Sequence, residues 1–107
     1  MKRKNIAVLF GGCSPEYGVS LQSAHSVIQQ IDTDKFRPIL IGISSKGNWY
    51  RFDGDPEKLV SDTWCNPSDC LPAAVSPDRE AHILLVFHPG EVEKLPLDAA
   101  FPVLHGK

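Results

Sequence analysis

An α/β fold is the class this sequence predicts: a small, mainly parallel sheet with flanking helices and an inserted antiparallel hairpin region. Three observations predict it. Ile6 to Phe10 is an unbroken apolar run stopped by Gly11-Gly12. Leu21, Ala24, Ile28 and Ile31 then recur at helical spacing. Pro38 to Ile43 is a second apolar run. Strand, helix, strand in that order is a βαβ unit, and its two strands are expected to be parallel.

Ile6 to Phe10 lies between charge and glycine and reads as a strand buried on both faces. Glycine at 11 and 12 permits a tight turn and leaves room for a ligand or another backbone. The helix is expected to start at Gly18 or Ser20, to carry Val27 beside its stripe, and to end in the polar stretch Asp32 to Lys35. After Ser44 the pattern changes. Lys46-Gly47-Asn48 reads as a turn and Trp49 to Phe52 as a short aromatic strand. Pro56 to Thr63 is a candidate short helix, and Asn66 to Asp69 a loop. Leu71 to Val75, His82 to Phe87 and Glu91 to Leu95 are candidate short strands, with Pro89-Gly90 turning the chain between the last two. Asp98 to Leu104 is mostly apolar and is expected to return to the parallel sheet. A buried parallel strand needs a helix to cover it, and none follows His105-Gly106-Lys107, so the reading expects a fragment of a longer protein.

With 107 residues, 42% hydrophobic and 22% charged, the chain fits one small globular domain. The net charge of −2 and the lack of any basic run beyond Lys2-Arg3-Lys4 argue against nucleic acid and anionic membrane as partners. The three cysteines, Cys13, Cys65 and Cys70, form no CxxC pair, so no metal site is expected. A reducing, cytoplasmic setting fits best, with a Cys65–Cys70 bridge left open. The basic start followed by Gly11-Gly12-Cys13 loosely resembles a lipoprotein signal, but its apolar stretch is too short.

The glycine turn is neither a Walker A loop nor GxGxxG. It reads either as a plain tight turn or as an anion or substrate site at a helix N-terminus. Glu16 reads either as a complement to the helix dipole or as the partner of a substrate ammonium. His105 follows another strand of the same sheet, so the two side chains are candidates to converge on one ligand. Cys13 lies near a helix start, which lowers a thiol pKa, but has no nearby histidine to make it a nucleophile. His25, His82 and His88 lack metal-ligand company and carry no assigned role. Trp49, Tyr50 and Phe52 read as packing residues of the inserted region.

Two stretches together, "NIAVLFGGCSPEYGVSLQSA" and "FPVLHGK", resemble the N-terminal domain of D-alanine–D-alanine ligases of the ATP-grasp superfamily. The family pattern is a strand, GGxSxE, then VS opening a helix, and later a strand ending in LHG. The segment between Ser44 and Leu97 is similar to the longer branch that includes the vancomycin-resistance ligases. Glu16-Tyr17 and "FPVLHGK" look most similar to its G-type, whose product ends in D-serine. Gly18 departs from the pattern, which has an acidic residue there.

The resemblance implies a pre-ATP-grasp, Rossmann-like fold over residues 1–107. It implies an N-terminal substrate-binding domain, with the central and C-terminal ATP-grasp domains absent. In that family a first D-alanine is phosphorylated on its carboxylate from ATP, and the amine or hydroxyl of a second substrate attacks the product. By resemblance Glu16 is the catalytic and ammonium-binding residue, Val19 contacts the methyl group, and His105 orients the substrate. ATP and magnesium are implied on the other domains, together with a homodimer, a cytoplasmic location and a role in peptidoglycan synthesis. The second substrate, D-alanine, D-serine or D-lactate, is not readable from these residues. The alternatives are a stand-alone nucleotide-binding module and a non-catalytic interaction domain. Neither accounts for GGxSxE and LHG in one chain.

Overall fold

The computed structural model describes residues 3–12, 17–76 and 82–103. Its elements, in chain order, are β1 (Lys4–Gly11), α1 (Tyr17–Gln30), β2 (Phe36–Ile43), β3 (Trp49–Phe52), α2 (Glu57–Val60), β4 (Cys70–Val75), β5 (Ile83–His88), β6 (Glu91–Pro96) and β7 (Ala99–Val103). They follow the predicted order. The helix begins earlier than Gly18, the Pro56–Thr63 helix shrinks to a single turn, and the last strand is described only to Val103.

All seven strands join one sheet in the order β6-β5-β4-β3-β2-β1-β7. Strand β1 is parallel to both β2 and β7. The β2–β3, β3–β4, β4–β5 and β5–β6 pairs are antiparallel. The expectation of a mainly parallel sheet is therefore corrected: parallel pairing is confined to β1 and its two neighbours. For β3 the reason is connection length. Parallel neighbours need a crossover such as α1, whereas the short Ser44–Asn48 turn returns β3 against β2. Asn48 O accepts the Ser44 N–H there at 2.8 Å. Every later connection up to β6 likewise links antiparallel neighbours.

Side chains alternate across β1 and β2, so the sheet builds two cores. Val8, Phe10 and Leu40 face α1 and pack with Leu21, Ala24, Phe52, Leu59 and Trp64. Ala7, Ile39 and Ile41 point the other way and pack with Ala73, Leu84, Val86 and Leu95. The second core exists because β4 changes partners along its length. Cys70 to Pro72 pair with β3, and Ala73 to Val75 pair with β5. The chain turns a corner there, and the β5–β6 hairpin folds back beneath β1 and β2. Only Leu97 and Asp98 then separate β6 from β7, the two edges of the sheet. Asp98 closes this link: its Oδ2 accepts the Asn5 N–H at 2.7 Å, and its own N–H reaches Asn5 O at 2.8 Å. Asn5 Nδ2 also donates to Pro96 O at 2.7 Å.

The first core is centred on three aromatic rings meeting edge to face. Phe10 and Trp64 have centroids 4.9 Å apart at 78°, and Phe52 lies 6.5 Å and 6.1 Å from them. Gly42 makes room for the indole, since a Cβ there would lie 2.3 Å from Trp64 Cζ3 and 2.9 Å from Phe10 Cε2. Gly42→Ala is expected to destabilise the domain by about 1–3 kcal/mol through overpacking. Urea denaturation followed by tryptophan fluorescence checks it, and an unchanged midpoint would show that the ring cluster has slack.

Candidate functional site

The strands β1 and β7 run side by side as far as Val103, the last described residue of β7, which pairs with Phe10. Gly11 then takes φ +89°, a conformation that favours glycine, and a Cβ at this position would lie 2.1 Å from Ile43 O. The chain passes over the end of β2, and Gly12 N donates to Ile43 O at 2.8 Å. The glycine at 11 is thus required by close backbone approach as well as by its dihedral.

Helix α1 enters this corner through Ser20, which is fully buried. Its Oγ accepts the Gly11 N–H at 2.9 Å and donates to Val103 O. One hydroxyl therefore joins the helix to the last residues of two parallel strands.

The start of α1 is also held by Tyr17. Trp64 Nε1 donates to Tyr17 Oη at 2.9 Å, and Tyr17 Oη donates to Asp62 Oδ1 at 3.0 Å. Asp62 has φ 57°, a left-handed conformation that aspartate tolerates better than most residues. Burial, with help from the Asp62 carboxylate, pushes the Tyr17 phenol up to about 12, even though the Trp64 donor acts in the opposite direction.

Among the residues predicted to act on a ligand, Val19 is described. It lies in the first turn of α1 and is 51% exposed. Glu16, His105 and Cys13 lie outside the described residues. In sequence Glu16 immediately precedes α1, and His105 follows closely on β7. The first turn of α1 carries no acidic side chain, and a Cβ at Gly18 would meet nothing within 4 Å, so space does not explain that glycine.

Elsewhere, His25 Nε2 pairs with Glu57 Oε2 at 2.5 Å across α1 and α2, and His88 Nε2 with Glu93 Oε1 at 2.8 Å within the β5–β6 hairpin. Cys65 and Cys70 are free thiols, which settles the question of a bridge between them. Among the described residues no group of three His, Cys, Asp or Glu side chains is arranged to hold a metal, and no helix is long and apolar enough to cross a membrane. A hollow of about 720 Å³ beside Trp49 and Pro72 and one of about 360 Å³ beside Leu9 and Leu97 gather no cluster of polar groups.

Sequence reading missed Ser20 as a structural tie and missed the Tyr17–Trp64 contact. A signal for Ser20 was present: it shares the helical stripe of Ala24 and Ile28, and a polar side chain on a buried stripe needs partners.

A glycine turn, a helix start and a neighbouring strand end meeting at one edge of the sheet define an α/β domain of the kind that meets ligands at the carboxyl ends of its strands. The family model described as D-ala D-ala ligase N-terminus matches residues 5–107, and the chain belongs to that family. It is 42% identical over 106 residues to the D-alanine–D-alanine ligase of Thermoanaerobacter sp. strain X514, covering 99% of this chain and 29% of that protein. It is 44% identical over 107 residues to the vancomycin B-type resistance protein VanB of Enterococcus faecalis, covering 100% and 29%. The crystal structure of VanG D-Ala:D-Ser ligase from Enterococcus faecalis superposes with a TM-score of 0.89 at 42% identity, over 97% of this chain and 29% of that one. The chain thus spans about 29% of the length of the curated relatives it matches.

The hydrogen bond that fixes Tyr17 makes a prediction with a definite sign. A phenol whose folded pKa exceeds its unfolded value of 10.0 stabilises the fold fully below pH 10 and loses that contribution as pH rises towards 12. Tyr17→Phe leaves the buried Trp64 N–H unpaired. It is expected to lower stability at neutral pH by about 1–3 kcal/mol. It is also expected to flatten the alkaline fall above pH 10. Urea midpoints between pH 7 and 12 check both, and parallel alkaline limbs in the two proteins would contradict the second.

Proposed function

We propose that this chain is the first-substrate domain of an ATP-dependent ligase. The ligase joins D-alanine to a second D-alanine, to D-serine or to D-lactate, for peptidoglycan precursors. The observation that supports the reading best is the parallel pairing of β1 with β7. These strands lead into the GGxSxE and LHG motifs, which lie at opposite ends of the sequence.

In this reading the Glu16 carboxylate holds the ammonium of the first D-alanine by a charge-assisted hydrogen bond. The exposed Val19 contacts its methyl group. His105 orients it from the β7 side. The substrate carboxylate then points away from this domain, toward the parts of the ligase that supply phosphoryl transfer. ATP and magnesium are assigned in this reading to the other domains of the ligase, since this chain spans about 29% of the curated relatives it matches. The reading carries a cytoplasmic location, where D-alanine and ATP are both available. It also carries a homodimer, as the family resemblance implies.

In a complete ligase containing residues 1–107, Glu16→Gln is expected to lower kcat/KM for the first D-alanine. Losing one charge-assisted hydrogen bond at about 1.5–3 kcal/mol corresponds to roughly 10- to 150-fold. The KM for ATP should stay near wild type. Steady-state kinetics with varied D-alanine checks this, and unchanged D-alanine kinetics would remove Glu16 from the role. Light scattering coupled to size exclusion tests the assembly: a dimer is expected, and a strict monomer at high concentration contradicts it.

A further inference from the structure

We infer that Ser20 is the positioning residue of the first-substrate site, acting by setting the separation of the two strand ends that carry the binding motifs. The inference rests on the functional reading above.

A serine hydroxyl has one proton to donate and two lone pairs to accept with. Ser20 uses the proton on Val103 O and a lone pair on Gly11 N–H, at 2.9 Å for the latter. Gly11 is the final residue of β1, Val103 is the last described residue of β7, and the last described pair between these strands is Phe10 with Val103. Ser20 ties these two residues to each other through one hydroxyl. It also belongs to the first turn of α1, together with Val19, and that turn follows directly on Glu16. Three segments therefore meet at one side chain: the glycine turn, the strand leading to His105, and the helix start beside Glu16.

Packing alone does not call for a serine here. The position is fully buried on the stripe that continues with Ala24, where an alanine would be the better helix former and would bury no polar group. The hydroxyl is accounted for by its two bonds. Without it a buried N–H and a strand-end carbonyl lose their partner, and the two ends are free to drift apart. Reaction rates respond to misplacements of an ångström, so drift of that size bears on substrate geometry before it bears on folding.

The test uses a complete ligase containing residues 1–107 and four proteins: wild type, Ser20→Ala, Ser20→Thr and Leu59→Ala. Leu59 is the buried residue of α2 and packs in the first core without a hydrogen bond from its side chain, so its truncation lowers stability while leaving the Ser20 hydroxyl in place. Ser20→Ala is expected to raise the first-site KM for D-alanine by about tenfold or more while leaving the KM for ATP within about twofold. Ser20→Thr keeps the hydroxyl and is expected to recover most of that loss. Leu59→Ala is expected to lower the melting temperature yet keep the wild-type KM. An equal KM effect in Ser20→Ala and Leu59→Ala, or none in Ser20→Ala, overturns the inference. If Ser20→Ala fails to fold, the Ser20→Thr enzyme decides: a near wild-type KM supports the hydroxyl's role, and a KM raised tenfold overturns it. A wild-type enzyme with no D-alanine-dependent ATP turnover overturns the functional reading itself, and that failure is visible before any variant is compared.

Discussion

The shape of the domain is dictated by one short connection. Only Leu97 and Asp98 link β6 to β7, yet these strands are the opposite edges of a seven-stranded sheet. Laid flat, strands about 4.8 Å apart would separate those edges by about 29 Å. Two linking residues reach about 11 Å at most. The sheet must therefore bend back on itself. It does so at β4, whose first half pairs with β3 and second half with β5. The Asn5–Asp98 hydrogen bonds hold the closure, and the core of Ile39, Ile41, Leu84 and Val86 fills the space it encloses.

That closure divides labour between the two faces. The inner face is filled mainly by aliphatic side chains, with the Glu93 carboxylate held beside them by His88 and the charges of Arg51 and Arg37. The outer face is covered by α1, and its aromatic centre reaches the helix start through the Trp64–Tyr17 hydrogen bond. The entry of α1 is thereby fixed at two points, Ser20 against the strand ends and Tyr17 against the loop after α2. A helix start held in this way is a suitable mount for a side chain that must meet a small substrate accurately.

Much of this was legible from sequence, and the exceptions have physical causes. Ile6 to Phe10 and Pro38 to Ile43 are long apolar runs with clear boundaries, and they became β1 and β2 with a few added residues. Trp49 to Phe52 was legible because Gly47-Asn48 marks its start. Strand direction was less so. Apolar runs look alike whether their neighbours are parallel or antiparallel, and the sheet was expected to be mainly parallel. Connection length carried part of the missing information: the links before β3, β5 and β6 are too short for crossovers, whereas residues 53–69 are long enough for one and still return β4 antiparallel to β3. The site was partly legible: GGxSxE and LHG identified the two strand ends and the family. The Tyr17–Trp64 bond joins residues far apart in sequence, and no local pattern encodes it. Ser20 was hidden by a plausible local role, since a serine near a helix start first reads as a cap.

The pairing of the first strand with the last has a consequence for how the chain is made. Strand β1 is synthesised first, but its partner on one side, β7, comes only after nearly all the other elements. At roughly 5–20 residues per second, the ribosome needs on the order of 4–20 s to pass from the end of β1 to the start of β7. Throughout that interval one side of a nearly wholly apolar strand lacks its neighbour. The nascent domain is therefore an incomplete sheet with its most hydrophobic strand at a border, and chaperone occupancy during translation should be concentrated in that interval.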